Sequence, residues 1–153
     1  SAGYPNLNDD GWLWGGTPED IRYSIAHGIR FDGDPDTRFS EMPAFADMLS
    51  RQEIADVAAH VLALHQGGDL TGPGAEIYAD HCAACHGASG EGEPMFGAPS
   101  LTSAIWLYGS DAQDIMAQIR APRHGVMPGW QARLGDVTVK ELTVYVHSLG
   151  GGQ

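Results

Sequence analysis

Two cysteines and a histidine carry the most definite chemistry in this chain: Cys82-Ala83-Ala84-Cys85-His86, followed by Gly87. The C-x-x-C-H spacing is that of covalent c-type haem attachment. Two thiols three positions apart can each bond one vinyl group of the porphyrin, and the adjacent imidazole then sits beneath the iron as an axial ligand. The chain has only these two cysteines, so none remains for a structural disulfide. A redox-active disulfide is the main rival for C-x-x-C. A zinc site would want two more ligands at short spacing, and no second C-x-x-C exists. The histidine directly after Cys85 favours haem, with one group covalently attached.

The rest of the site is expected around that motif. The second ring nitrogen of His86 needs an acceptor that fixes the ring, and a backbone carbonyl near Pro99 suits it, because Gly97-Ala98-Pro99 reads as a tight loop. Met127 is the candidate sixth ligand: Met127-Pro128 sits in a turn after Gly125, and a thioether raises the potential relative to a second imidazole. His124, three residues earlier, is its rival. Met95 and Met116 read as packing residues. Trp106, Tyr108 and Trp130 could line the haem, and plain core packing suits each of them equally. His60, His65, His81 and His147 read as surface or helix-face residues. Two filled axial positions leave no place for oxygen or substrate, which argues for electron transfer and against catalysis at this haem.

Five helices position these groups. Thr17 caps a helix from Pro18 to about His27, with proline at its first position. Ser50-x-x-Glu53 is a capping box that opens a helix with Ile54, Val57, Val61 and Leu64 on one face. Gly67-Gly68 stops it. A third helix runs from Pro73 to about Ala84, and a fourth from Asp111 to about Arg120. Thr138-x-x-Glu141, a second capping box, predicts a helix to about Leu149. No alternating strand pattern of useful length occurs, so the fold class is all-α with long loops.

The two halves of the chain repeat one another. Gly3-Tyr4-Pro5-Asn6-Leu7 matches Gly97-Ala98-Pro99-Ser100-Leu101 at an offset of 94, as do Leu13-Trp14-Gly15 with Leu107-Tyr108-Gly109 and Ile25 with Ile119. The offset then drops to 85, pairing Met42-Pro43 with Met127-Pro128, Phe45 with Trp130, and Val57, Val61 and Leu64 with Leu142, Val146 and Leu149. The nine extra residues of the first copy fall between Ile25 and Met42, with Arg30 to Arg38 as the expected insertion. Self-similarity at this length implies two copies of one fold. The expected division is a partial domain over 1–66 without its own C-x-x-C-H, a linker over 67–74, and a complete domain over 75–150. The first copy starts past the point where its haem motif would lie, which points to truncation of a longer parent, with a degenerate, haem-less domain as the alternative.

Composition narrows the partners. With 8 basic and 20 acidic residues the net charge is −12, which excludes nucleic acid and disfavours anionic membrane surfaces. A basic redox partner would be steered toward such a surface, although acidity can also serve solubility alone. No run of about 18 apolar residues is present, and no signal peptide is visible.

The set Cys82-x-x-Cys85-His86-Gly87, Pro99, Met127-Pro128 and a C-terminal amphipathic helix resembles a class I cytochrome c domain. A closer resemblance covers essentially the whole chain: Asn6 to Glu19, Met42-Pro43-Ala44-Phe45, His124-Gly125-Val126-Met127-Pro128 and Tyr145 to Gly152 are similar to the dihaem (CcoP/FixP) subunit family of cbb3-type cytochrome c oxidase. That resemblance implies tandem class I cytochrome c domains, the first lacking here its N-terminal haem-attachment segment. It implies a periplasmic subunit of a parent anchored in the bacterial inner membrane by a segment absent from this chain. It further implies other oxidase subunits and a donor cytochrome c as partners, and electron delivery toward an oxygen-reducing subunit. Met42 matches the axial position that the resemblance expects in the first copy. The competing functions are a free-standing soluble cytochrome c serving another redox enzyme, and a haem sensor or peroxidase, which would need an open or displaceable sixth position.

Overall fold

A computed structural model describes residues 3–151; Ser1 and Gly152, at the ends of the repeat and resemblance described above, lie outside the described residues. Six α-helices occur: α1 (Pro18–His27), α2 (Arg51–Gln66), α3 (Gly74–His81), α4 (Ala83–His86), α5 (Ala112–Arg120) and α6 (Gln131–Ser148). A single 3₁₀ turn covers Pro94–Phe96. Among the described residues there is no strand, only isolated bridges, so the all-α expectation holds.

Local chemistry explains most helix ends. The Thr17 side chain accepts from the Asp20 N–H and Pro18 opens α1. Ser50 and Glu53 form the full capping box of α2, which ends on left-handed Gly67. Asp111 caps α5 by accepting from the Asp114 N–H. The second expected box is not used. The α6 run from Gln131 is interrupted at Gly135, whose φ of 75° and ψ of 165° are not helical, so its longer part opens just after Gly135, ahead of Thr138. Gly135 is the counterpart of Ser50 at offset 85. Where one copy has a capping serine, the other has a residue free to adopt positive φ without a capping side chain.

The described chain forms two compact units. One comprises residue 3, Glu41–Glu93 and Ala98–Arg123; the other comprises Tyr4–Ser40, Pro94–Gly97 and 124–151. These differ from the expected 1–66 and 75–150 division. The first unit takes α2 from the first sequence copy and α3, α4 and α5 from the second. The other takes α1 from the first copy and α6 from the second. The physical reason is that α2 and α6 carry equivalent apolar stripes, and a stripe specifies that a face is buried without specifying which copy buries it.

In the first unit, α2 packs on α3 and α5. Its core joins Phe45, Leu49, Ile54, Val57, Ala58 and Val61 to Tyr78, Leu101, Ile115 and Ile119. The α2 residues recur at the helical period. Gly74 of α3 lies so close to the Asp56 backbone that any Cβ would collide. Segment 67–73 is therefore the turn between two packed helices.

In the other unit, α1 packs on α6. Ile21, Ile25 and Ala26 meet Val139, and Trp12, Met127, Trp130, Leu134, Leu142 and Val146 pack around them. The insertion is a closed loop: Arg30 N–H donates to Arg38 O at 2.8 Å, and Arg38 N–H donates to Gly28 O at 3.2 Å. Arg38 then pairs with Asp20 at 3.0 Å and lies over the rings of Trp14 and Tyr23. No described helix is long and apolar enough to cross a membrane.

Candidate haem-attachment site

The motif is built on the end of α3. Cys82 is the last residue of its hydrogen-bonded run, donating to Tyr78 O at 2.9 Å, and His86 N–H donates to Cys82 O at 2.9 Å. One further helical turn, α4, thus places Cys82, Cys85 and His86 together. Cys82 is half-buried and Cys85 exposed, and no disulfide joins them. Gly87 at φ 81° turns the chain out of the helix. Its carbonyl accepts the hydroxyl of buried Tyr78 at 2.7 Å, which ties the motif to the helix that leads into it.

The following loop folds back onto the histidine. Gly92 N–H donates to His86 O at 2.8 Å, Leu101 N–H donates to Gly90 O at 2.7 Å, and Glu93 and Ala98 exchange a pair of backbone bonds at 3.1 Å. Pro99 is thereby held with its carbonyl 3.0 Å from His86 Nδ1. A carbonyl only accepts, so Nδ1 carries the hydrogen and Nε2 keeps a lone pair. Burial pushes the His86 pKa down, partly opposed by the Pro99 bond. Burial, with Cys85 beside it, pushes the Cys82 thiol up to about 11.

This donor set fits a c-type haem. Two unpaired thiols on one turn suit thioether formation, and a neutral imidazole with a free Nε2 lone pair suits an axial bond to iron. The zinc alternative finds no support: the one group of three metal-capable side chains among the described residues is His27, Asp34 and Asp36, which contains no cysteine.

The structure distributes the remaining expected residues between the units. Trp106 and Tyr108 share the unit of the motif. Trp106 packs on its core, and its Nε1 donates to Ser103 O at 2.7 Å. Tyr108 stacks under the Arg123 guanidinium at 4.5 Å. Met127, Trp130 and His124 belong to the other unit. There Met127 is bridged to Ile29 through two backbone bonds of 2.9 Å, and Trp130 lies under Arg133. Met116 packs on the core of the first unit, whereas Met95 is 76% exposed. His60 and His65 are helix-face residues of α2 and half-buried: their rings rest on Tyr78 and Trp106, and their Nδ1 atoms have no hydrogen-bond partner. Met42, which the resemblance places at the axial position of the first copy, packs on the same core as Cys82.

An all-α unit whose helix ends in C-x-x-C-H, with the histidine fixed by a loop carbonyl, defines a c-type cytochrome. The chain belongs to the family of subunit III of cbb3-type cytochrome c oxidase, whose model matches residues 70–146. It is 53% identical to the cbb3-type cytochrome c oxidase subunit FixP of Sinorhizobium medicae, over 99% of this chain and 53% of that protein. Identity to FixPc of Rhizobium leguminosarum bv. viciae is 54%, over 98% of this chain and 53% of the relative. Identity to the CcoP subunit of Cereibacter sphaeroides is 48%, over 100% and 54%. The chain thus spans about half the length of the curated relatives it matches.

Proposed function

We propose that this chain is a periplasmic electron-transfer segment of a cbb3-type terminal oxidase. One haem c is attached through Cys82 and Cys85, with His86 as its proximal ligand. The haem supplies a one-electron iron couple; the protein supplies position and electrostatics. The carrying observation is the 3.0 Å contact between His86 Nδ1 and Pro99 O. It leaves Nε2 as the only ring atom able to bind iron and makes that nitrogen more basic. Cys82 and His86 are half-buried and Cys85 is exposed, so these residues would hold the haem at the boundary between core and solvent.

The parent subunit passes electrons from a donor cytochrome c toward the oxygen-reducing subunit, with membrane association through an anchor outside this chain. The net charge of −12 favours a basic donor and a salt-sensitive encounter. The test is an intact mass of the chain made in a host that attaches c-type haem, followed by rapid mixing with a basic reduced cytochrome c at rising ionic strength. One haem increment and a rate that falls with salt are expected. A mass without haem, or carbon monoxide binding to the ferrous form as at an open sixth position, contradicts the reading.

A further inference from the structure

Away from the cysteines, the insertion of the first copy gathers a second set of donor atoms. His27 ends α1, and Asp34 and Asp36 lie in the loop from Arg30 to Arg38. One donor atom from each of the three lies within 4.8 Å of the others. The second copy has no equivalent. At offset 94 His27 corresponds to Ala121, and the loop that brings Asp34 and Asp36 is missing there. The histidine and the two carboxylates therefore come as a set.

The loop holds these groups in place. His27 Nδ1 is 3.1 Å from Asp34 Oδ2. The other carboxylate oxygen, Asp34 Oδ1, accepts the Asp36 N–H at 2.8 Å, which fixes the direction of Oδ2. Tyr23 braces both sides: its ring centre lies 4.7 Å from that of His27, and its hydroxyl donates to Asp36 O at 2.9 Å. The loop ends are pinned as well, Arg38 by Asp20 at 3.0 Å and Arg30 by the carbonyls of Gly125 and Ser40. The side chains of His27 and Asp34 are 28% and 20% exposed, and Asp36 is exposed, so the group opens to solvent on the Asp36 side.

The spacing is that of atoms around one ion. Adjacent donors bound at about 2.0–2.2 Å stand roughly 3 Å apart, close to the separation of His27 Nδ1 and Asp34 Oδ2. A hydrogen bond accounts for that pair without an ion. It does not account for Asp36, whose carboxylate brings a second negative charge to the same point, at a cost unless a cation lies between the two. One imidazole with two carboxylates is a borderline donor set. It suits a divalent transition ion better than Ca²⁺ or Mg²⁺, which take oxygen ligands.

We propose that His27, Asp34 and Asp36 bind one divalent ion of the Zn²⁺ class, with water completing its coordination, and that the ion clasps the insertion to the end of α1. The proposal does not rest on haem attachment, since all three residues lie in the unit without cysteines.

The test is calorimetric titration of the haem-loaded chain, free of any affinity tag, with Zn²⁺, alongside thermal unfolding with and without the ion. One ion should bind per chain, and the unfolding temperature should rise with Zn²⁺, because the ion binds only the folded arrangement. Mg²⁺ or Ca²⁺ in excess should change neither result. His27→Gln and Asp36→Asn should each weaken binding by roughly tenfold or more. If His27→Gln fails to fold, Asp36→Asn decides, because Asp36 is exposed and its backbone makes the loop bonds. Absence of binding overturns the proposal. Full-strength binding in either variant overturns it too, since the ion is then held by other side chains.

Discussion

His86 donates its Nδ1 hydrogen to the carbonyl of Pro99, thirteen residues away, across 3.0 Å. This single bond sets the tautomer, ring orientation and basicity of His86, and the loop that supplies it is held by backbone bonds rather than by side chains.

Gly92 is the tightest point of that loop. It adopts φ 82°, and a Cβ there would meet Ser100 N, Ala98 O and Pro99 C at 2.6, 2.8 and 2.9 Å. Gly92→Ala should destabilise the haem-loaded chain by about 2 kcal/mol or more, since strain in the left-handed region adds to a backbone clash. It should also perturb the His86 ring, which that loop holds. Thermal unfolding and the midpoint potential read the two effects, and an unchanged melting curve contradicts the packing described.

The two cysteines should be separable in effect. Replacing either with alanine leaves one thioether and a haem that survives denaturation. Replacing both leaves a haem that denaturation releases, because His86 alone holds it. Haem staining after denaturing electrophoresis distinguishes the three variants, and retained covalent haem in the double variant would count against the motif.

Tyr78 connects the motif to the core and should make alkaline stability depend on pH. Its hydroxyl donates to Gly87 O at 2.7 Å, and its side chain is buried. Burial, with smaller contributions from Cys82 and Glu91, pushes its pKa from 10.0 to about 12. A raised folded pKa favours the protonated folded form. Its contribution is therefore complete below pH 10 and is lost as pH rises toward about 12. Tyr78→Phe should cost about 1–2 kcal/mol at neutral pH and flatten the alkaline decline, measured by denaturant titration from pH 8 to pH 12.

On the acid side, Asp20 behaves oppositely. Burial pushes its pKa up, but the Thr17 hydroxyl at 2.8 Å and the Arg38 guanidinium outweigh burial and hold it below the ordinary 3.8. Its contribution is present above that value and fades as pH falls through the lower folded one. Arg38→Ala should cost about 1–2 kcal/mol through the lost ion pair and ring contacts, and the gap from wild type should narrow below pH 4. A gap that widens there would contradict this account.

Sequence reasoning reached the site because its parts are local. The C-x-x-C-H turn, the Pro99 loop thirteen residues on, and the capping box at Ser50 all declare themselves within a short window. Thr138 misplaced the start by a few residues, because the helical stretch opens after non-helical Gly135, which carries no capping side chain to declare itself. The assignment of α2 and Met42 was not legible. Val57, Val61 and Leu64 have the same spacing as Leu142, Val146 and Leu149, so periodicity shows that both helices bury a stripe and leaves their partners interchangeable. His60 and His65 were hidden for a related reason: a histidine beside an apolar stripe reads as surface until the aromatic ring it rests on is known.

The turn over 67–73 joins two helices of one unit, and this governs the order in which the protein can fold as it leaves the ribosome. Everything in the unit that holds the C-x-x-C-H motif has been synthesised once Arg123 has emerged. The other unit begins earlier, with α1, yet must wait for the last helix, α6. Of these two units, the one that starts earlier is therefore completed later, and a nick within 67–73 would leave both pieces clasped through the α1–α6 and α2–α3 contacts.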